Sequence, residues 1–579
     1  MKKSKIALKP YLDTITGYCS SLSNAELTNM IINLAKDVPT SGRVNFMEKI
    51  ESCLPDGKAV IAPDLSPVEQ ILDAIEALKE SMEERIRSIE DGSYWDDSDD
   101  WRDYGYNDEE PDYISEDQAD ELESLFVHAE SLFLDDRLGK ARKVYEALFK
   151  LISYIRENTY FSLGQEFDIR EARARYCRCV YETSDVNKRL DEFVAAMEID
   201  VFSAYNENDY DEDYPTMQDV IDARPGEMAD LGSFIPAWKK VLSKRGAKKG
   251  RPAVLLLEAV NRIEGISGVS RLAKKWKNSQ PQGYIFWLNI LVEENNYSGV
   301  AKVSKEGLKA LNEGKFRARV AKFLIDAAGE LNDAKHLLLG KRERFFSYMS
   351  DQNLLDLVNE ALKQNVKDQE LNSVIKFFKA RQSIDKDEKT LYIRTLLMSG
   401  RLNDAFAMVK KEKSVGWSYG SNAGVVFGSA LSVLAGYSEK AGTIKTLLAG
   451  YADQKSIYSG RIIIDDGMST SFYKKILEGL KKRKFTKSQA AEYLAWADKI
   501  GKSRIDHIVS NKHRRAYERA AQVLGSLAET YVARGQKSKA IKVLHKYYNE
   551  KYKRFSAFRR EVKAVVMGSE LLKNCGFSL

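Results

Sequence analysis

The chain has 579 residues, 44% hydrophobic and 30% charged, with a net charge of +5. That length exceeds what one hydrophobic core usually serves, so several helical or mixed modules are expected. The five scattered cysteines (Cys19, Cys53, Cys177, Cys179, Cys575) argue against a disulfide framework, and no apolar window approaches a membrane span. The mild net charge conceals a polarity. Residues 1–235 hold 52 Asp and Glu against 25 Lys and Arg, whereas the remainder hold 33 against 65. Opposed fields of that size attract each other or steer partners. The opening Met1-Lys2-Lys3 stretch is basic but turns polar before an apolar signal core develops, so a cytoplasmic protein without membrane association is expected.

Eleven prolines in such a length, with apolar residues recurring at three- and four-residue steps, predict helices nearly throughout and an all-α fold. Ser23 is placed to cap a helix beginning Asn24-Ala25-Glu26, and Pro39 with Gly42 ends that pattern before Val44 to Ile50. Ser66 precedes a longer helix whose stripe is Val68, Ile71, Ile75, Leu78, Met82 and Ile86, stopping at Asp91-Gly92. Residues 1–90 read as an N-terminal helical domain. Residues 91–117 follow as an acidic, aromatic tether with Trp95 and Trp101, too charged to fold alone yet rich in rings that suit docking on a basic partner surface.

Residues 118–205 read as a second helical domain and 206–235 as an acidic linker, with Asn206 to Tyr214 repeating the tether's composition on a smaller scale. A basic helical repeat region is expected over 236–409, an exposed linker over 410–424, and a C-terminal helical domain over 425–579. The segment Lys410 to Gly424 mixes charge, glycine and aromatics just after a helix ending in Met408, a pattern suited to a hinge or a proteolytic site. Lys455 to Ser471 includes Arg461-Ile-Ile-Ile464, a candidate short extended piece.

Internal repetition is the strongest structural signal. Leu125, Ala129 and Leu132, then Ala141, Tyr145 and Leu148, suit a helical hairpin with small residues where the helices cross. Leu524, Leu527, Ala528, Tyr531, Gly535, Ala540 and Leu544 repeat the pattern with a glycine in the turn. Weaker copies keep a turn glycine and an alanine five residues later: Gly329 with Ala334, Gly400 with Ala405, Gly436 with Ala441. These hairpins resemble tetratricopeptide repeats, although no copy keeps the full signature beginning with Trp. The resemblance implies a multidomain helical solenoid used as a binding scaffold. Generic amphipathic helix pairs with alanine at close crossings remain the alternative.

A search for chemistry finds no catalytic constellation, so no enzyme, metal or cofactor is expected. Cys177-x-Cys179 lacks a second Cys/His pair, and the loop at Asp209, Asp211 and Asp213 has Tyr214 where a calcium loop needs its glycine. The histidines (His128, His336, His507, His513, His545) read as packed or surface residues, and Lys244 to Arg251 lacks the spacing of a phosphate cradle. Basic clusters are the better candidates for partner binding: Lys341 to Arg344, Lys481-Lys482-Arg483-Lys484 and Lys512 to Arg515 with Arg514 and Arg515. In Tyr547 to Arg560 the aromatics Tyr548, Tyr552, Phe555 and Phe558 recur at core spacing, which favours packing over base stacking.

The leading expectation is a non-enzymatic scaffold that binds protein partners. The chain also resembles the helical accessory protein of type III-E CRISPR systems in size, in helicity without a catalytic site, and in the open segment after Met408-Val409-Lys410-Lys411. That resemblance implies cleavage by a caspase-like protease near residues 408–417 and restraint of a sigma factor until the cut. The basic C-terminal half leaves nucleic-acid binding as a third alternative.

Overall fold

A computed structural model describes residues 6–36, 46, 49–50, 68–91, 93, 112–158, 168–198, 214–244, 251–413, 415–416, 421–453, 471–481 and 483–578. Most of the tether, with Trp95 and Trp101, lies outside these residues. So do the breaker at Pro39 and Gly42, Ser66, residues 206–213, Lys482 and the Arg461 to Ile464 piece. Among the described residues the structure is helical and contains no strand. The chain divides into two compact units, Met1–Trp287 and Leu288–Leu579.

The first unit contains α1 (Leu8–Ser21), α2 (Asn24–Lys36), α3 (Val68–Asp91), α4 (Glu116–Leu134), α5 (Leu138–Asn158), α6 (Ile169–Thr183), α7 (Arg189–Met197), α8 (Met217–Asp222), α9 (Leu231–Lys244) and α10 (Arg251–Trp276). The division falls within α11 (Gln282–Glu293). Ser23 and Glu26 exchange hydrogen bonds at the start of α2, a capping box that begins the helix where the sequence predicts. The predicted stripe of α3 is buried at all six positions and packs on α4 and α5. The hairpin positions of α4 and α5, from Leu125 to Leu148, are likewise buried.

Helix α6 departs from ordinary patterning, because Arg173, Arg175 and Arg178 are buried along with its apolar residues. Each guanidinium has partners distant in sequence. Arg175 pairs with Glu130 and Glu171 at 2.8 Å, while Arg178 meets Glu182 and donates to the Ile221 carbonyl at 3.0 Å. Arg173 lies 4.2 Å from the centre of the Tyr214 ring, and Arg251 approaches the same ring at 5.2 Å. Residues 206–235, expected as a linker, therefore differ over their described part. Tyr214, Met217 and Val220 are buried, α8 packs on α6, and α9 packs on α7 and α10. The acidic composition conceals this because the anchoring cations lie on another helix.

The second unit contains α12 (Tyr297–Ala310), α13 (Lys315–Glu330), α14 (Ala334–Ser347), α15 (Asp351–Lys363), α16 (Lys367–Ala380), α17 (Lys386–Met398), α18 (Leu402–Val409), α19 (Asn422–Leu434), α20 (Gly442–Asp453), α21 (Phe472–Leu480), α22 (Lys487–Ser510), α23 (Tyr517–Ala533), α24 (Lys537–His545), α25 (Ser556–Gly568) and α26 (Glu570–Lys573). From α12 to α21 each helix packs on the next, and α21 also returns onto α17. A single core runs from Leu338 to Leu572 and takes in Val409, Val415 and Ala423. The segment 410–424, expected as an exposed linker between domains, thus has anchors on both sides of its exposed lysines.

One turn geometry recurs. After α4, α11, α13, α15, α17, α19, α22 and α23 the backbone passes through a left-handed residue: Asp136, Asn295, Asn332, Asn365, Gly400, Gly436, Lys512 and Gly535. In every case its N–H bonds back three residues and the next N–H bonds back five, the Schellman closure of a helix. Gly400, Gly436 and Gly535 act as the sequence predicts. Gly329 does not: it lies inside α13, and Asn332 takes the left-handed position with φ of 52°. Its expected partner Ala334 is exposed. The close crossing falls at Gly340 instead, where an added Cβ would stand 2.8 Å from Ile325.

Candidate functional site

Helices α14, α15 and α21 of the second unit enclose a cleft of about 500 Å³, lined by Lys341, Asp356, Asn359, Leu362, Lys363, Lys474, Lys475 and Glu478. The walls are ordered from behind. Arg394, almost fully buried on α17, pairs with Asp351 at the start of α15 and lies 4.4 Å from the centre of the Phe472 ring on α21. Asp453, the last residue of α20, accepts the Phe472 N–H at 2.7 Å and the Ser471 hydroxyl at 2.6 Å, capping α21 from another helix.

Four lysines line the cleft against two carboxylates. Lys341 is engaged by Glu360 at 3.0 Å, and Glu478 by Lys367 at 3.5 Å. Burial tends to raise the Glu360 pKa, but hydrogen bonds from Gln364 and Lys341 hold it below the usual carboxylate value. Lys363 and Lys474 are exposed, and Lys475 is only 5% exposed. Burial pulls the Lys475 pKa below its ordinary value. Asp453 and Glu478 oppose that shift, and Lys367 and Lys474 reinforce it.

The residues singled out from sequence are arranged differently. Lys481 and Lys484 are exposed, but Arg483 is half-buried and donates to the Gly400 carbonyl at 3.3 Å, securing a turn. Arg514 and Arg515 are exposed in the short 3₁₀ turn after α22. The two basic clusters flank opposite ends of α22, whose 24 residues span about 36 Å. One small ligand cannot touch both. Met408 is half-buried, Val409 is buried, and Lys410 and Lys411 are exposed.

Tyr548, Tyr552 and Phe558 are buried, and Tyr552 shares hydrogen bonds of 2.9 Å with Ser510 and Asp506, so these rings belong to the core. His128, His507, His513 and His545 are exposed, and His336 meets Asp333 and Lys305. Burial pushes the Cys177 thiol up to about 12 and raises Cys179 as well, which leaves neither poised as a nucleophile. Among the described residues no three His, Cys, Asp or Glu side chains are grouped to hold a metal ion, and no helix is long and apolar enough to cross a membrane.

No protein-family model and no curated protein matches this chain. The cleft therefore stands on its own chemistry. Of its cations, only Lys341 falls in a cluster conspicuous in the sequence. The Lys474-Lys475 doublet, one helical turn before Glu478 and two before Lys481, is the signal that could have located the rest.

Proposed function

We propose that this chain is a non-enzymatic, cytoplasmic helical-repeat scaffold that binds protein partners. The observation supporting this reading is the turn that recurs eight times among the described residues, since a succession of similar helix pairs offers extended side-chain surface without requiring a reaction centre. The exposed cations Lys481, Lys484, Arg514 and Arg515 supply the contact points. The test is to recover partners with the tagged chain, reconstitute the complex from purified proteins, and reverse these four charges. Loss of the complex with unchanged circular dichroism is expected. A partner bound equally well by the reversed chain, or replaced by nucleic acid as the ligand, argues against the reading.

A second reading is that a CRISPR-associated caspase-like protease cuts the chain near 408–417 and so releases a restrained sigma factor. Exposure of Lys410 and Lys411 directly after α18 favours it. Incubation with the guide-activated protease is expected to yield one cut in that window, and an intact chain after prolonged incubation discards this reading.

A further inference from the structure

We propose that the outward face of α24, with the turn that follows it, binds the phosphate backbone of a nucleic-acid duplex. From Lys537 to Arg554 the chain carries seven Lys and Arg against one acidic residue, Glu550. Glu550 lies 3.1 Å from His545, and Lys551 is engaged by Asp506 at 2.7 Å. The other cations, Lys537, Lys539, Lys542, Lys546, Lys553 and Arg554, are exposed, and none pairs with a carboxylate among the described residues.

Helical spacing turns three of these lysines into a row. Helix α24 packs on α23 and buries Ala540, Val543 and Leu544, which leaves Lys539 and Lys542 on its opposite side. Lys546 keeps helical backbone angles, φ of -57° and ψ of -44°, and so adds a third member seven residues after the first. The row extends over about 10 Å of helix axis. A DNA duplex carries about six backbone charges over that length.

The composition of the face selects its occupant. A protein partner needs an apolar centre with aromatic or arginine anchors, and lysine is depleted in such interfaces. Here Tyr547, Tyr548, Tyr552 and Phe558 are buried, and among the described residues from Lys537 onward Met567, on α25, is the one exposed large hydrophobic side chain. Single-stranded nucleic acid is held by bases stacking on exposed rings. These rings are fixed inside, with Arg559 lying 4.4 Å from the centre of the Tyr548 ring and Tyr552 hydrogen-bonded to Asp506. A row of lysine point charges on a helix suits phosphates, which present charge at regular intervals and require neither rings nor base contacts. Binding is therefore independent of base sequence.

Short DNA and RNA duplexes are the probes, titrated into the full chain by fluorescence anisotropy from about 50 to 200 mM salt, with a single strand and polyglutamate as comparison ligands. The three row lysines and a flanking cation or two imply a slope of log K against log salt of about -4, hence roughly a 250-fold loss of affinity across that range. A Kd of about 10 μM or tighter is expected at the low-salt end. The triple variant Lys539→Gln, Lys542→Gln and Lys546→Gln alters exposed side chains alone. It should flatten the slope by about three and weaken binding at least about 100-fold at low salt. In the unaltered chain, duplex should protect the same lysines from acetylation by acetic anhydride. Either duplex bound with this slope supports the proposal, and the tighter one identifies the source. Absence of duplex binding, an unchanged slope in the triple variant, or no protection overturns it. Tighter, lysine-dependent binding of the single strand or of polyglutamate also overturns it, the latter reassigning the face to an acidic protein segment. The row includes none of Lys481, Lys484, Arg514 and Arg515, so the protein-partner reading stands or falls separately.

Discussion

Glu529 lies on α23, is fully buried, and accepts three hydrogen bonds: from the Thr443 N–H at 3.0 Å, the Ile444 N–H at 2.9 Å and the Ser569 hydroxyl at 2.6 Å. Helix α20 begins after Ala441, whose side chain cannot cap, so the carboxylate of a distant helix satisfies its first-turn donors. Ser569 in turn accepts the Leu572 N–H at 3.2 Å and caps α26. Glu529→Ala orphans two buried amides at about 1–3 kcal/mol each, partly offset by removing a buried charge, for a net loss of about 2–4 kcal/mol. The assay is hydrogen exchange in the full chain, read on the peptide spanning 442–453. Exchange there should accelerate by roughly one and a half to three orders of magnitude, with Ser569→Ala causing about one. Unchanged protection of α20 in Glu529→Ala would refute the assignment of Glu529 as its cap.

Other outcomes follow from the turns, the crossings and the buried thiols. Asn332→Gly should leave stability within a few tenths of a kcal/mol, whereas Asn332→Val should cost about 1–2 kcal/mol because a β-branched residue resists the left-handed region. Amide exchange in α13 and α14 distinguishes the two. Gly479→Ala drives a methyl group into the Met398 carbonyl on α17, and a loss of about 1–3 kcal/mol is expected in thermal melts, with faster exchange in α21. Cys177 supplies a pH dependence. Its native pKa is pushed to about 12 by burial, while the unfolded thiol ionises near pH 8.5, so above that pH the unfolded chain binds fewer protons. Stability contributed by this thiol is complete below about pH 8.5 and falls by about 1.4 kcal/mol per pH unit above it. Urea melts at pH 8 and pH 10, compared with those of Cys177→Ala, check the slope.

Much of the fold is legible in the sequence because helical periodicity is a local property. The α3 stripe, both strong hairpins and the turns at Gly400, Gly436 and Gly535 fall where the pattern places them. Turns built on Asp136, Asn295, Asn332, Asn365 and Lys512 escape a search for glycine, although asparagine and aspartate tolerate the same backbone region. The burial of α6 is hidden for a different reason. Three arginines predict exposure unless their partners are known, and Glu130, Tyr214 and the Ile221 carbonyl lie roughly forty residues away. The cleft is illegible likewise, since Lys363 and Lys474 are more than a hundred residues apart in sequence and meet only through the packing of α15 and α21.

Counting five residues on from each left-handed turn gives Ala141, Val300, Leu337, Ala405, Ala441, Tyr517 and Ala540, and after Asn365 it gives Glu370. That carboxylate is 1% exposed and takes both arms of the Arg342 guanidinium from α14, which lifts the Arg342 pKa. Similar hairpins share a folding hazard, because one can occupy its neighbour's place. A hairpin carrying Glu370 is addressed: away from α14 its carboxylate would be buried without its guanidinium, so the pair works as a registration mark among hairpins that share one turn geometry. Replacing both members with apolar side chains, Glu370→Leu together with Arg342→Met, should preserve stability but populate misassembled species during refolding. Clean refolding of that double variant would show that the remaining side chains already fix the order.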